Sequence, residues 1–207
     1  MNWMANYKKI VFQDSEMNVE GWELDSVLEI ELSNSKKAYI IDGVFDAESA
    51  STLFKNYSKF PFQFTDFDRD DTKHVQHLVH YLSDEQISDP NGAGSIINLV
   101  YDLLDGFKLK HKRKISRSYI NFNLFGDFQY NHSDGDEWTA LFFIADEWNE
   151  DWMGEFFIVD PIDSVKFAVT PKPGRMVLFD GEIIHRGGVP SKLCFKPRLT
   201  LAVKVER

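Results

Sequence analysis

Four side chains in this sequence could do chemistry together: His132, Asp134, His185 and Arg198. On an extended strand successive side chains alternate faces, so His132 and Asp134 project to one side and Ser133 to the other. His185 arrives 53 residues later from a second strand-like segment, supplying another imidazole. Two nitrogens and one carboxylate oxygen on one face of an ion leave its remaining positions open, as in non-haem Fe(II) sites. Zinc competes, because three protein ligands and an open position also suit a hydrolase. Arg198 decides between them. It sits 13 residues after His185 in the alternating stretch 196–205, where a guanidinium beside a metal acts as a bidentate carboxylate clamp. A charged residue midway along a barrel strand is costly to bury without a counter-ion, and the plain alternative is an exposed arginine on an edge strand. Thr200 shares the face of Arg198 and could add a hydroxyl to the same carboxylate. Asp136 lies one pleat beyond Asp134, at a spacing that does not match.

The order His-x-Asp, distal His, then Arg-x-Thr on the last strand resembles the 2-oxoglutarate- and Fe(II)-dependent oxygenases, in particular their prolyl-4-hydroxylase-like branch. The resemblance spans roughly Ser116 to Val205 and includes three flanking segments. Residues 141–148 followed by Gly154-Glu155-Phe156-Phe157 look like the family's strand, tryptophan loop and Gly-Glu turn. Residues 171–180, from Pro171 through Gly174 to Phe179, look like its Pro-x-x-Gly strand ahead of the distal histidine. The resemblance implies a mostly β fold, a double-stranded β-helix (jelly-roll, cupin-like) barrel buttressed by N-terminal helices. It implies Fe(II) on His132, Asp134 and His185, 2-oxoglutarate with its far carboxylate on Arg198, O2 as the second co-substrate, and ascorbate as an accessory reductant. The reaction it implies is hydroxylation of a C–H bond with release of succinate and CO2. Related halogenases lack the carboxylate that Asp134 supplies here. The sequence also departs from the pattern. Prolyl hydroxylases commonly place a tyrosine nine or ten residues before the first metal histidine; here that region holds Phe122 and Asn123, with Tyr119 further back. Asn121 and Asn123 are therefore the candidates for the second contact to the co-substrate. Phe143 stands where relatives often have another tyrosine, and only Gly154 remains of the usual glycine pair.

Several elements must position this site. Segments 27–32 and 38–41 read as short strands, and Asp46 can cap a helix running to Lys59 with Ala50, Leu53, Phe54 and Tyr57 on one stripe. Residues 61–71 are aromatic and acidic and suit a strand or ordered loop near a pocket mouth, with core packing the favoured role. Around His74, His77 and His80 the apolar residues Val75, Leu78, Val79 and Leu82 fit a helical stripe, which would turn the three imidazoles to solvent. A second helix is expected over Ser95–Leu104, ended by Gly106. From Lys114 the period changes to 2. Tyr119, Asn121 and Asn123 alternate with Ile120 and Phe122, which in a ligand-holding barrel puts the polar set toward the cavity and the apolar set toward the helices. Trp138, Trp148 and Trp152 read as core and loop anchors, Arg175 and Arg186 as surface or rim groups, and Cys194 as structural or incidental.

The 207 residues suit a single oxygenase domain, with supporting strands and helices over 1–111 and the catalytic jelly-roll over 112–207. Eighteen phenylalanines point to a sheet-rich core. A net charge of −10 disfavours a nucleic-acid partner, and the basic run Lys108–Lys114 reads as a solvated strand entrance. One cysteine fits a reducing compartment, and neither a signal-peptide core within Met1–Val11 nor a membrane-length apolar run is visible, so a soluble cytoplasmic protein is expected. The expected partner is a proline-containing peptide or protein. A free amino acid or other small metabolite is the alternative substrate, and a non-catalytic cupin-like binding barrel is the alternative outside enzymes.

Overall fold

The period-2 alternation that begins near Lys114 forms the strands that carry the site. The computed structural model describes residues 7–10, 26–90, 92–162 and 165–207; of the N-terminal stretch read above for a targeting signal, residues 1–6 and 11 lie outside it. The strands are β1 (Tyr7–Ile10), β2 (Ser26–Glu31), β3 (Lys37–Asp42), β4 (Gln63–Asp66), β5 (His77–Tyr81), β6 (Ile115–Asn123), β7 (Glu137–Ile144), β8 (Phe156–Val159), β9 (Lys166–Val169), β10 (Met176–Asp180), β11 (His185–Gly187) and β12 (Arg198–Glu206). The helices are α1 (Ala47–Tyr57), α2 (Asp84–Ser88) and α3 (Ala93–Gly106). Nine strands form one antiparallel sheet in the order β1-β2-β3-β10-β7-β12-β6-β5-β4, and β11-β8-β9 form a smaller one. This is the double-stranded β-helix expected from the sequence.

Strand β12 shows how alternation builds two environments. Leu199, Leu201, Val203 and Val205 join Ile96, Leu99, Val100, Leu103 and Leu104 of α3 in a core on the outer face of the large sheet. Arg198, Thr200 and Ala202, on the opposite face, line a cavity between the sheets. On β6, Ile120 and Phe122 likewise pack outward, while Tyr119 and Asn121 line the cavity. A second apolar cluster, with Leu141, Phe143, Phe156, Val177 and Phe179, fills the space between the sheets beside it. Polar residues are thus kept inside by the barrel's closure, which is why the strand pattern could be read as inverted relative to an ordinary half-buried sheet.

The N-terminal half follows expectation in part. Asp46 caps α1 by accepting a hydrogen bond from Ser49 N at 2.7 Å, as its position before the apolar stripe predicts. The expected helix over 74–82 is instead β5, an antiparallel partner of β6 that pairs Val79 with Asn121. Its burial alternates, with His77 and Val79 buried and Leu78 and His80 half-buried, so His77 points inward and not to solvent. Residues 75, 78, 79 and 82 satisfy a helical stripe and part of a strand pattern at once, and pairing with β6 settles the matter. Gly106 is the last residue of α3 and not its left-handed stop; Lys108, at φ 57°, takes that conformation. Residues 63–66 are a strand, but Phe64 is exposed, so core packing there falls to Phe62. Arg113 pairs with Asp102 and Asp105, and Lys112 and Lys114 with Glu206, so much of the basic run is paired within the protein.

Gly174 closes the turn before β10 at φ +70°, and a Cβ there would lie 2.3 Å from the carbonyl oxygen of Phe45. Its own carbonyl accepts from Val44 N at 2.9 Å, tying the turn to the loop ahead of α1. Gly174→Ala should cost on the order of 1–3 kcal/mol of stability through strain and this clash. Urea denaturation measures it, and an unchanged midpoint would contradict the packing described.

Candidate metal centre and co-substrate cavity

Residues His132 and His185 are brought together by backbone pairing. Each donates its N–H to the other's carbonyl, at 3.0 and 2.9 Å, in an isolated antiparallel bridge at the edge of β11. Directly paired residues share a face, so the two rings stand with centroids 4.4 Å apart. Asp134 follows two residues after His132, its N–H held by the carbonyl of Gly181 at 2.6 Å. The side chains' outer atoms then converge. Asp134 Oδ1 lies 3.8 Å from His132 Nε2, and Oδ2 lies 3.7 Å from His185 Nε2. One ligand atom from each residue falls within 4.8 Å of the others.

Both imidazoles are held in the tautomer a metal needs. His132 Nδ1 is 3.0 Å from the carbonyl of Tyr130, and His185 Nδ1 is 2.8 Å from that of Ile183. A carbonyl oxygen can only accept, so each Nδ1 carries the proton and each Nε2 presents its lone pair to the common point. Burial pushes His185 down to about 4, against the opposing pull of Asp134, so its ring is neutral at physiological pH. Burial alone would raise the Asp134 carboxyl; His185, Lys204 and Thr139 together hold it well below the usual range. The sign of the pH effect follows. A histidine whose folded value is depressed gives stability that is complete above its unfolded value of 6.5 and is lost as pH falls toward about 4. Protein stripped of metal by a chelator should therefore lose stability between pH 6.5 and 4, and His185→Gln should flatten that slope. Denaturation midpoints across the range test this; an unaltered slope would contradict a buried neutral His185.

At the other end of the cavity lies Arg198, only 2% exposed. Its Nε donates to the carbonyl of Gly154 at 2.6 Å and Nη1 to Asn123 Oδ1 at 3.2 Å. Nη2 is buried with no hydrogen-bond partner, and Asn123 Nδ2 is in the same condition. Among the described residues no carboxylate lies within ion-pair distance of this guanidinium. Burial lowers Arg198 to about 10, which still leaves it cationic at neutral pH. The described residues thus supply no counter-ion, and a buried cation with an unused donor is chemically suited to an external carboxylate. Gly154 makes the arrangement possible: at φ +80°, its Cβ would lie 3.0 Å from Arg198 Cδ and 3.3 Å from Trp148 Cζ2. The Phe143 ring, 5.5 Å from the guanidinium carbon, stands where the resemblance would put a tyrosine.

Asn121 and Thr200 both line the cavity and hydrogen-bond to each other, Nδ2 to Oγ1 at 3.3 Å. Asn123 has a different place: it stands behind Arg198 and orients it. Asp136 pairs with Arg207 at the surface and takes no part. Arg175 is tied to Asp42 and Arg186 rests over the Phe128 and Phe157 rings; neither lines the cavity. Trp138 and Trp152 are buried, while half-buried Trp148 donates Nε1–H to the carbonyl of Met153 at 3.0 Å.

Three further side chains at the site escaped the reading of the sequence. Lys204, 1% exposed, donates to Asp134 Oδ1 at 2.5 Å, while Thr139 Oγ1 donates to Oδ2 at 2.6 Å. Asp68, on the loop after β4, accepts from Tyr130 N at 2.5 Å and lies 3.2 Å from His77 Nε2 and 3.4 Å from His132 Nδ1. For Lys204 a signal existed, since it shares parity with Arg198 and Thr200 on one strand. Asp68 and His77 gave none, because their place depends on β5 joining β6.

A double-stranded β-helix whose cavity gathers two histidines and one aspartate is the fold of the 2-oxoglutarate- and Fe(II)-dependent oxygenases, with the His-x-Asp…His triad present in it. Solved structures of that fold cover most of the chain. A Pseudomonas putida prolyl-4-hydroxylase superposes with a TM-score of 0.63 at 15% identity, covering 82% of this chain and 92% of its own. A Trichoplax adhaerens prolyl hydroxylase, solved with a hypoxia-inducible-factor peptide fragment, gives 0.59 at 14% identity over 82% and 83%. A collagen prolyl hydroxylase of Paramecium bursaria Chlorella virus-1, solved with 2-oxoglutarate, gives 0.59 at 14% identity over 81% and 94%. No protein-family model and no curated protein matches the sequence.

Proposed function

We propose that this protein is a 2-oxoglutarate- and Fe(II)-dependent dioxygenase that hydroxylates a prolyl residue in a peptide or protein. The observation that carries the oxygenase reading is Arg198: a buried guanidinium with an unpartnered Nη2, in the same cavity as three convergent metal-ligating side chains. His132, Asp134 and His185 would hold Fe(II), and Arg198, with Thr200 and Asn121 beside it, would hold the far carboxylate of 2-oxoglutarate. Bound there, iron and the keto acid supply the O2 chemistry: one oxygen atom enters the C–H bond, the other enters succinate, and CO2 leaves.

The chain's own part is binding and orientation. Carbonyls of Tyr130 and Ile183 keep protons on Nδ1 so that both Nε2 atoms face inward. Thr139 steadies the Asp134 carboxylate by donating to Oδ2. Phe156, Phe179 and Leu141 line the cavity with apolar surface, which limits water near the reacting centre. The prolyl substrate rests on the sequence resemblance and on the structural likeness to prolyl hydroxylases, and a reducing, cytoplasmic setting would suit the single cysteine.

Incubation with Fe(II), 2-oxoglutarate and a panel of synthetic proline-containing peptides tests the proposal by mass spectrometry. A gain of one oxygen on proline, absent without iron or without the keto acid, is the expected result. Succinate release without modification of any peptide would overturn the prolyl part and favour a small-metabolite substrate; failure to consume the keto acid under any condition would overturn the oxygenase reading.

A further inference from the structure

A lysine stands against the metal carboxylate, and its charge has consequences that geometry alone does not. Lys204 is 1% exposed, on the cavity face of β12, with its ammonium 2.5 Å from Asp134 Oδ1. Its register neighbours are Arg117 on β6 and Thr139 on β7. Glu137 is the other acid nearby, at 3.8 Å and out of hydrogen-bond reach, and its carboxylate accepts from Ser116 Oγ at 2.5 Å. The Tyr119 ring lies 5.7 Å from the ammonium, and Arg117, 5.3 Å from the same ring, adds a second cation to this end of the cavity.

A carboxylate oxygen has two lone pairs, so Oδ1 can accept from Lys204 and Oδ2 from Thr139 while each keeps one pair for a metal. The ammonium is thus compatible with a bound ion, yet it places a fixed positive charge next to one. In a buried site such a charge is weakly screened. It opposes a dication and attracts an anion.

We propose that Lys204 is a charge-setting residue of the metal centre: it cancels the charge of Asp134, weakening the hold on the divalent ion and strengthening the hold on the dianionic keto acid that shares the cavity. The proposal rests on the metal-centre reading given above. It makes the centre's affinities for metal and co-substrate respond in opposite directions to one side chain.

Three variants separate charge from support. Lys204→Met removes both the charge and the hydrogen bond, Lys204→Gln removes the charge and keeps a donor, and Lys204→Arg keeps the charge. Calorimetry with Mn(II), followed by 2-oxoglutarate into the Mn(II)-loaded protein, gives both affinities without turnover. The expected result is crossed: the Met and Gln variants bind Mn(II) at least tenfold more tightly and 2-oxoglutarate severalfold more weakly, while the Arg variant follows the parent. Weaker Mn(II) binding in the Met variant with parental behaviour in the Gln variant would assign Lys204 to carboxylate support and overturn the proposal. Loss of both affinities together in the neutral variants would overturn it too. If the Met variant fails to fold, the Mn(II)-induced rise in melting temperature of the Gln variant decides, since it must exceed that of the parent. Absence of Mn(II), Co(II) and anaerobic Fe(II) binding in the parent would instead overturn the metal-centre reading itself, and this proposal with it.

Discussion

Replacing Arg198 with methionine is expected to abolish useful binding of 2-oxoglutarate while leaving the fold as stable as before, or more stable. The two effects have one origin. Arg198 is 2% exposed, two of its donors are used on Gly154 and Asn123, and Nη2 has no hydrogen-bond partner. Desolvating a cation without a counter-ion costs free energy, and a methionine of similar length removes that cost. A keto acid bound as proposed, however, would lose the buried cation at that end of the cavity. Removing one partner of a buried charge pair costs about 2–5 kcal/mol, which corresponds to roughly 30-fold to several thousand-fold in affinity. Calorimetry and thermal melts on the same preparations test both halves. A variant that melts far lower, or that binds the keto acid as the parent does, would show that Arg198 serves the fold and not a ligand.

Asp134→Ala should do the opposite to stability. Asp134 and Lys204 side chains are 2% and 1% exposed, so deleting the carboxylate strands an ammonium in the interior. Breaking a buried pair from one side costs about 3–5 kcal/mol. The same change removes one of three metal-ligating groups, so affinity for Mn(II) should fall by at least a hundredfold. The double variant Asp134→Ala/Lys204→Met should recover most of the stability and none of the metal binding. That pattern distinguishes charge compensation from general damage to the barrel, because damage would not be repaired by a second substitution. If the double variant is no more stable than the single one, the pair is not the source of the loss.

The contrast between Arg198 and Lys204 shows what the sequence could and could not reveal. Both lie on one strand, at positions of the same parity, among Leu199, Leu201, Val203 and Val205, whose burial on the helix side forces the even positions inward. Arg198 could be assigned because its distance from His185 matched a known order of residues, and the unpaired guanidinium supports that assignment. Lys204 obeyed the same alternation, but a lysine near the end of a strand reads as solvated unless the partner strands on both sides are known. β12 lies between β6 and β7, which covers it from end to end. The triad was legible for a similar reason: two residues apart on an extended chain means one face, whatever the rest of the fold does. His77 was not, because Val75, Leu78, Val79 and Leu82 fit helical spacing as well as the strand they partly form. Only the pairing of β5 with β6 places its imidazole against Asp68. Local periodicity specifies a residue's face once the element type is certain, and contacts among distant segments specify its neighbours.

The same reasoning explains the departures from the prolyl-hydroxylase pattern. Asn123 does not replace the missing tyrosine by touching the cavity; it holds Arg198 from behind, and Asn121 and Thr200 provide the polar surface in front. Phe143 sets its ring 5.5 Å from the guanidinium carbon, without a hydroxyl. The Arg198 end of this cavity is accordingly less polar than the pattern predicts.

The most direct test is a titration of 2-oxoglutarate into the protein with and without Mn(II), repeated for Arg198→Met. One molecule bound per chain, only when Mn(II) is present and only with the arginine in place, is the predicted outcome. Equal binding in the absence of metal, or binding that survives loss of the arginine, would contradict a shared site between the triad and Arg198.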